Sequence, residues 1–201
     1  KFIKFFGHLH EARGLRVTFF EEHGQKKINV LQNYKYDAIR FSFKPFSILQ
    51  ALDYLRIDLK HLIWTDADLR CKKKFDINSL QKFLPHKNEL MSYLGRKNNY
   101  SECGFLGFNL KHDMFKDFIT RITDIYSTGE IFSLQEWHDS WIWDYVRSEF
   151  EKNGYIFKNI SNKGFDHHHP YINSGLEEFF DHLKGPTRKR DGRSSDKDYL
   201  N

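Results

Sequence analysis

The sequence predicts an α/β fold in which a mostly parallel sheet is flanked by helices. Short runs rich in strand-forming residues alternate along the chain with longer segments of helical periodicity, which is the pattern of α/β proteins. The 201 residues suit one domain with a single core. Hydrophobic residues make up 39% and charged residues 29%, as in a globular protein.

Four segments are predicted as strands and five as helices from their composition and periodicity. The predicted strands are LRVTFFEE (residues 15–22), HLIWTDADL (61–69), ELMSYLG (89–95) and CGFLGFNL (103–110). The predicted helices are KFIKFFGHLHEAR (1–13), which Gly14 would end, PFSILQALDYLR (45–56), HDMFKDFITRITDIY (112–126), LQEWHDSWIWDYVRSEFEKNG (134–154) and SGLEEFFDHLKG (174–185). Pro45 is favoured in a first helical turn, and Ser174 and Glu177 have the spacing of a capping box.

Charge and cysteine content narrow the class of protein. A net charge of +5 and a pI near 9.0 suit an anionic ligand, which a phosphate-rich small molecule would satisfy. Cys71 and Cys103 form no CxxC metal pair, so we expect free thiols in a reducing, cytoplasmic compartment. The chain has neither a secretory signal pattern at its start nor an apolar run of about 20 residues, so we expect no membrane span.

Two aspartates, Asp66 and Asp68, follow the apolar run LIW at the predicted end of a strand. Because side chains alternate along an extended strand, both carboxylates would lie on one side. Two such carboxylates form a hard oxygen site for Mg²⁺ or Mn²⁺, and ligands of open α/β sheets gather at the carboxyl ends of the strands. A divalent ion there would neutralise a diphosphate leaving group. Aspartates at this spacing are also common in ordinary turns.

The stretch FKPFSILQALDYLRIDLKHLIWTDADL (43–69) resembles the core of the GT-A glycosyltransferases, which carry D-x-D after a strand of this kind. SECGFLGFNLKHDMF (101–115) resembles the strand that passes beneath the donor sugar, and LQEWHDSWIWDYV (134–146) resembles the helix on the acceptor side. HLKGPTR (182–188) matches the H-x-x-G-x-x-[KR] spacing of glycogenin and galactosyltransferase relatives. Arg188 stands where those relatives have lysine. The resemblance covers roughly residues 15–190.

The resemblance implies a GT-A, Rossmann-like catalytic domain over residues 1–185. It further implies transfer of a hexose from a nucleotide diphosphate sugar, expected to be UDP-linked, to a hydroxyl of a glycan or glycoprotein. The expected cofactor is Mn²⁺ or Mg²⁺, and no nucleic-acid partner is expected. GT-A domains usually begin with a strand that holds the nucleotide base, so either that strand lies upstream or residues 15–22 take its place. Residues 186–201 are expected to form a basic, flexible tail or a linker within a longer polypeptide.

The same resemblance assigns the metal to Asp66, Asp68 and His182, and assigns donor contacts to Asp66, Gly185 and Arg188. His182 also falls in the last turn of a predicted helix, where a histidine favours the helix dipole. The run His167-His168-His169 is an alternative source of the third ligand.

Lys44 and Gly104 complete the predicted donor site. Lys44 precedes Pro45 at the predicted start of a helix, and a helix N-terminus with a lysine is a phosphate site. Gly104, like Glu102 and Gly107, lies in the strand after the aspartates, and glycine lets a ligand approach a strand backbone.

Glu136 and Asp139 are the predicted catalytic residues. An inverting enzyme needs one carboxylate to deprotonate the acceptor hydroxyl, and we favour Asp139 for this role. Both acids also suit the first turn of a helix, where they would only stabilise its dipole.

Two other functions compete with the transferase. A nucleotidyltransferase of related fold would need a glycine-rich phosphate loop near the N-terminus, and residues 1–30 contain none. A non-enzymatic nucleic-acid-binding domain would need clustered Lys and Arg beside exposed aromatic residues. The aromatic residues of this chain mostly follow the periodicity of a core, and its basic runs are dispersed.

Overall fold

The computed structural model describes residues 13–22, 25–55, 58–161 and 169–194. The helix predicted over residues 1–13 lies outside the described residues except for Arg13, which begins a strand. These residues form a mixed α/β structure that divides into two compact units, residues 1–55 with 116–146 and residues 56–115 with 147–201. We call them the first and the second unit. The strands are β1 (Arg13–Glu22), β2 (Gln25–Asp37), β3 (His61–Thr65), β4 (Leu69–Cys71), β5 (Glu89–Leu94), β6 (Glu102–Asn109), β7 (Ile156–Asn159) and β8 (Phe180–His182). The α-helices are α1 (Ala38–Ala51), α2 (Ile77–Gln81), α3 (Phe115–Ser127), α4 (Asp139–Lys152) and α5 (Pro186–Asp191).

In the first unit, β1 and β2 form an antiparallel pair, and α1 follows β2 directly. The prediction that Pro45 opens this helix is wrong. The Asp37 carboxylate accepts a hydrogen bond from the Arg40 backbone N–H at 3.1 Å, so the helix begins at Ala38 and Pro45 lies inside it. An aspartate N-cap stabilises a helix start by about 1 kcal/mol. Pro45 therefore lacks one helical hydrogen bond, and the helix start that its sequence position indicates does not occur there.

The amphipathic helix predicted over residues 112–126 is confirmed as α3. Its apolar face, which includes Phe118, Ile119, Ile122 and Ile125, is completely buried. Trp143 of α4 packs against Phe118, with ring centroids 5.9 Å apart. Burial of one such side chain contributes about 1.5–3 kcal/mol, so this face holds the two helices together within the first unit.

The second unit contains a four-stranded sheet in the order β3-β6-β5-β7. The prediction of α/β structure is confirmed, but the prediction of a mostly parallel sheet is wrong for the described strands. β6 pairs antiparallel with both β3 and β5, and only β5 and β7 are parallel. Parallel neighbours need a crossover of a dozen or more residues. The short link between β5 and β6 contains no helix, so those two strands can only pair antiparallel.

The segment 174–185 was predicted as a helix and is not one. Gly175 has a φ of 91°, a left-handed conformation that stops a helix, and only a short 3-10 turn follows at Leu176–Glu178. Strand β8 then pairs antiparallel with β4. The adjacent aromatic residues Phe179 and Phe180 favour this extended conformation, and both pack edge-on against Phe75.

A core of buried side chains lies between the sheet and the segment 171–180 of the second unit. Its members come from α2 and the turn after it, from β5 and β6, from the residue that follows β7 and from that segment: Leu80, Phe83, Leu94, Phe105, Ile160, Tyr171, Leu176 and Phe179. Ile63 of β3 and Leu69 of β4 pack against this core. The two strands that flank Asp66 and Asp68 are thus anchored by apolar contacts, which fixes the position of the turn between them.

Part of the predicted flexible tail is ordered in the structure. Pro186–Asp191 form α5, and the buried hydroxyl of Ser194 donates a hydrogen bond to Asp181 at 3.0 Å. Cys71 and Cys103 are free thiols, as predicted. Among the described residues, no helix combines the length and the apolar character that a bilayer crossing requires.

Replacement of Gly107 by alanine should destabilise the protein by about 1–3 kcal/mol, because overpacking a core costs this much. A Cβ at this position of β6 would meet the Ser92 hydroxyl oxygen on β5. That hydroxyl is buried and has no hydrogen-bond partner among the described residues. Gly107→Ala in a Ser92→Ala background should therefore recover most of the loss. Urea denaturation of wild type, the two single variants and the double variant measures the coupling energy between the two positions. Additive losses of unfolding free energy would contradict the contact.

Candidate metal centre

The second unit brings together one carboxylate from each of two strand ends and one imidazole. Ligand atoms of Asp66, Glu102 and His182 all lie within 4.8 Å of one another. Glu102 and His182 are buried, and Asp66 is half-buried. Ligand atoms about 2.0–2.2 Å from one metal lie within about 4.4 Å of each other, so a small inward movement of these side chains would bring them around a single ion. The three residues form the candidate metal centre.

His182 reaches this centre through the ribbon that β4 and β8 form. Leu69 pairs with His182 in the register of the ribbon, and the Leu183 backbone N–H donates to the Asp68 carbonyl at 2.9 Å. Since β4 begins immediately after Asp68, this pairing fixes His182 beside the two aspartates. The prediction joined these residues through a motif, whereas the structure joins them through strand pairing.

The two ring nitrogens of His182 have different surroundings. Nε2 lies 3.2 Å from Asp68 Oδ1, whereas Nδ1 is buried and accepts or donates no hydrogen bond within the described part of the chain. A carboxylate on one nitrogen of an imidazole fixes its tautomer and directs the other nitrogen to a metal. The ring also packs against Gly104, where an added Cβ would lie 2.7 Å from Cε1. Position 104 thus needs glycine to make room for this imidazole.

Asp66 is placed by the end of β3 and by its neighbour β6. Its backbone N–H donates to the Gly104 carbonyl at 3.1 Å, and its carboxylate accepts from the Trp64 indole N–H at 3.0 Å. The strand ends at Thr65, so Asp66 and Asp68 lie in a turn and the expected alternation of strand side chains does not apply to them. Both aspartates nevertheless lie close to His182, because the Asp68 carbonyl of this turn accepts a hydrogen bond from the residue that follows His182.

Glu102 is a carboxylate at the buried start of β6, and its side chain is only 3% exposed. It accepts hydrogen bonds from Arg96 at 2.8 Å, from Lys184 at 2.6 Å and from the Gly104 backbone N–H at 3.2 Å. Burial alone would raise its pKa, but the neighbouring charges of Lys184, His169, His182 and Arg96 outweigh this and hold the pKa of Glu102 well below its ordinary value. Glu102 is therefore ionised and able to act as a ligand.

Two lysines from the end of the chain supply positive charge to the carboxylates. Lys184 pairs with Glu102 at 2.6 Å, and Lys189 of α5 pairs with Asp68 at 3.2 Å. Burial raises the pKa of Asp68, but the neighbouring charges of His182 and Lys189 lower it by more. The pKa of Asp68 is therefore below its ordinary value. Both lysine side chains are more than half exposed, at 54% and 55%, and can move away without a large loss of stability.

Tyr171 and His169 form an aromatic wall behind the imidazole. The ring centroids of His169 and Tyr171 lie 4.9 Å and 5.1 Å from that of His182. Burial, with the charges of Asp66 and Glu102, raises the pKa of Tyr171, so its phenol stays protonated. His169 was one of three alternatives for the third ligand and lies beside His182, while His167 and His168 fall outside the described residues.

Two carboxylates and one imidazole fit a borderline divalent cation better than they fit Mg²⁺. Mg²⁺ prefers an octahedron of oxygens and keeps several waters, whereas carboxylates with an imidazole suit Mn²⁺ or Zn²⁺. The buried Nδ1 of His182, which has no hydrogen-bond partner among the described residues, is consistent with such an ion. We regard Asp66, Glu102 and His182 as the residues that would hold the metal, with Asp68 as a further ligand or as the group that orients His182.

Three of the predicted site residues lie in the first unit, where they pair locally. Lys44 forms an ion pair with Asp139 at 2.7 Å. Glu136 accepts from Lys35 at 2.7 Å and lies 2.7 Å from His138 Nε2. Because Lys44 lies inside α1, the argument that placed it at a helix N-terminus no longer holds. The donor role of Lys44 and the catalytic roles of Glu136 and Asp139 stay predictions.

The remaining predicted donor residues lie in the second unit. Gly104 lies against His182, and Gly185 precedes α5 with a φ of 85°, which favours glycine. Arg188 lies on α5 and donates to the Lys184 carbonyl at 3.1 Å. These positions place the three residues on the segments that build the candidate centre.

Sequence reasoning missed Glu102 as a metal ligand, although it noted the residue within its strand. The available signal was an ionisable residue at the start of an otherwise apolar strand, because a carboxylate is almost never buried without a partner or a role. No family model, no curated protein and no solved structure matches this chain.

Replacement of Glu102 by glutamine should destabilise the protein by about 3 kcal/mol, because it leaves the largely buried Arg96 without its carboxylate. The control is Glu130→Gln, which breaks a more exposed pair with Arg121 and should cost less than about 1 kcal/mol. Urea denaturation at pH 7 measures both values. Equal losses of unfolding free energy in the two variants would show that the buried pair of Glu102 with Arg96 stabilises the fold no more than the exposed pair of Glu130 with Arg121 does.

Removal of the two lysines should strengthen the binding of free Mn²⁺ by about three- to tenfold, because each lysine competes with the metal through an ion pair of up to about 1 kcal/mol. The variant is Lys184→Ala/Lys189→Ala, and titration of the Mn²⁺ electron paramagnetic resonance signal measures the affinity. The exposed pair Lys72→Ala/Lys74→Ala is the control for net charge. Weaker Mn²⁺ binding in the first variant would contradict the competition.

Proposed function

We propose that the protein is a metal-dependent glycosyltransferase of GT-A type that transfers a hexose from a nucleotide diphosphate sugar to a hydroxyl of a glycan or glycoprotein. The observation that carries the proposal is the convergence of His182 with Asp66 and Asp68, which lie far from it in sequence. The resemblance to GT-A transferases requires His182 to lie beside the two aspartates. Neither the D-x-D pair nor the histidine motif would predict this proximity alone.

The order of elements around the candidate centre also supports the proposal. The D-x-D turn follows β3, and the next strand of the sheet, β6, lies beside it with Gly104 at the level of Asp66. The absence of a side chain at Gly104 keeps the approach to the imidazole open. A GT-A arrangement would place the donor sugar over this strand, and we include that fold in the proposal.

A bound divalent ion supplies charge stabilisation to the diphosphate as it leaves the sugar. The residues of this chain contribute in other ways. Asp66, Glu102 and His182 would hold the cation, and Asp68 keeps the imidazole in one orientation. Lys184 and Lys189 pair with the carboxylates of Glu102 and Asp68. With a cation bound to those carboxylates, the two ammonium groups and Arg188 would be available to donate to phosphate oxygens.

In the transfer itself, the acceptor hydroxyl attacks the anomeric carbon, the bond from that carbon to the diphosphate breaks, and the hydroxyl proton passes to a base. Asp139 is our candidate for this base in an inverting reaction. UDP is the expected leaving group. The basic groups around the centre favour a leaving group with several negative charges over a neutral or singly charged one.

Titration calorimetry with UDP tests the proposal. Wild-type protein should bind UDP in the micromolar range with Mn²⁺ and at least tenfold more weakly without it, because a cation held by the carboxylates would neutralise the charge of the diphosphate. Asp68→Ala should lose the Mn²⁺-dependent part, since removal of a group that orients or binds a metal costs about 10–100-fold. UDP-sugars then identify the hexose.

The matched control is Asp117→Ala, an exposed aspartate on α3 of the first unit. It should bind UDP and Mn²⁺ as wild type does. Mn²⁺-independent binding, or equal loss in both variants, would rule out a metal-diphosphate site at Asp68. Slow hydrolysis of a nucleoside triphosphate, with no UDP-sugar turnover, would instead favour a nucleotidyltransferase.

A further inference from the structure

A second pocket lies at the opposite end of the sheet from the candidate metal centre. It has a volume of about 830 Å³ and is lined by residues from the start of β3, the loop before β5 and the segment after β6. Along β6 the chain runs eight residues from Glu102 to Asn109. At about 3.4 Å per residue, the two ends of this strand are about 24 Å apart. A small molecule in one site therefore does not contact the other.

The lining of this pocket is basic. It contains Lys60, Lys87 and Lys111 against one acid, Asp113, and it includes three histidines, His61, His86 and His112. Lys60 and Lys87 have exposed side chains that pair with no carboxylate of the described residues. Lysines that converge on a concavity with a single acid in its lining concentrate positive potential inside it.

The loop between α2 and β5 is held rigidly by side chains from neighbouring strands. The amide nitrogen of Asn109 lies 3.1–3.2 Å from the carbonyl oxygens of His86, Lys87 and Glu89, which share its two N–H groups. Its own oxygen accepts from the Lys111 backbone N–H at 3.1 Å. Asn109 is 4% exposed, so this contact is protected from water. The backbone that carries Lys87 is thus fixed before any ligand arrives, which reduces the entropy lost on binding.

Two further donors complete the same wall. His61 Nε2 lies 3.1 Å from the Pro85 carbonyl and must donate to it. Lys158 Nζ donates to the Leu84 carbonyl at 2.8 Å and lies 3.3 Å from His86 Nε2. The carbonyl oxygens of residues 84–87 and 89 are therefore all engaged by side-chain donors. This removes acceptors that would repel an anion and leaves the lysines as the dominant charges.

Hydrogen bonding also fixes which histidine nitrogens can donate in the neutral rings. Nδ1 of His112 accepts from the Met114 backbone N–H at 3.2 Å, so its proton is on Nε2. Nε2 of His86 faces the Lys158 ammonium, so its proton is on Nδ1. Each ring keeps one N–H that its described contacts do not use. Imidazole N–H groups beside lysines are suitable hydrogen-bond donors for phosphate oxygens.

We propose that this pocket binds a small polyanion, a molecule with two or more phosphate groups, independently of the metal centre. The volume lies within the range of about 300–1,000 Å³ that ligand pockets occupy. A single phosphate would engage only part of the lining, whereas linked phosphates would reach Lys60 and Lys87 together. The site requires no divalent ion, because its charge comes from side chains.

Titration calorimetry with tripolyphosphate in the absence of divalent ions tests this site on the full chain. Wild-type protein should bind it, and Lys60→Ala/Lys87→Ala should weaken binding by at least about tenfold, because two charge-assisted contacts are lost. The charge-matched control is Lys74→Ala/Lys152→Ala, which removes two exposed lysines outside the pocket. It should change the affinity less than about twofold. Circular dichroism and thermal unfolding establish that both variants are folded.

The lysines of the metal centre provide the second comparison. Lys184→Ala/Lys189→Ala should retain tripolyphosphate binding if the ligand lies in the basic pocket. Loss of binding in this variant, with Lys60→Ala/Lys87→Ala unaffected, would place the anion at the metal centre and overturn the proposal. Equal weakening in all three variants would show a general effect of net charge and would also overturn it, as would the absence of binding to wild-type protein.

Discussion

The second unit is organised around the buried carboxylate of Glu102. A carboxylate that is 3% exposed is not tolerated alone, since its desolvation costs several kcal/mol. Arg96, which is 19% exposed, compensates this charge from within the fold and ties the link between β5 and β6 to the start of β6. Lys184 adds a more exposed cation from the chain that leaves β8, 82 residues further along the sequence.

The ribbon of β4 and β8 completes this arrangement from the other side. Each of its two strands is only three residues long, and so short a pair is not stable alone. Its stability comes from Leu69, which packs on the core, and from the ion pair between Arg70 and Asp181. Ser194 also donates to Asp181, so the last described residue of the chain is tied to the same ribbon. His182 is held firmly because these contacts surround it.

Much of the local structure could be predicted from the sequence, because hydrophobic periodicity is a property of neighbouring residues. The strands near residues 61–69, 89–95 and 103–110 and the helix α3 follow from such patterns. The antiparallel pairing of β5 and β6 could also be inferred from the short link between them, because that link leaves no room for a crossover helix. The strand at Phe180–His182 could not be found locally, since the glutamates, leucines and lysine on either side of it match a helix and only pairing with β4 decides otherwise.

Some residues of the candidate metal centre could likewise be predicted from local sequence, whereas others could not. Asp66 and Asp68 stand out because two acids end an apolar run. Glu102 does not stand out, because its role depends on which residues the fold places around it. Partners such as Arg96, Lys184 and His169 lie in segments whose spacing gives no sign of contact. A charge that is explained only by tertiary neighbours is invisible to pattern analysis, even when its position in a strand is predicted correctly.

The two ends of the sheet in the second unit differ in how their charges are paired. At one end, the carboxylates of Asp68 and Glu102 form ion pairs with exposed lysines of the same chain. At the other end, Lys60 and Lys87 have no carboxylate of the described residues against them, and the carbonyls of their loop are already engaged. A net charge of +5 is therefore not spread evenly over the surface. Cations that pair with carboxylates can be released to a ligand only when another cation replaces them, whereas unpaired lysines attract an anion directly. The same basic composition thus supports two different kinds of anion recognition, one conditional on a metal and one not.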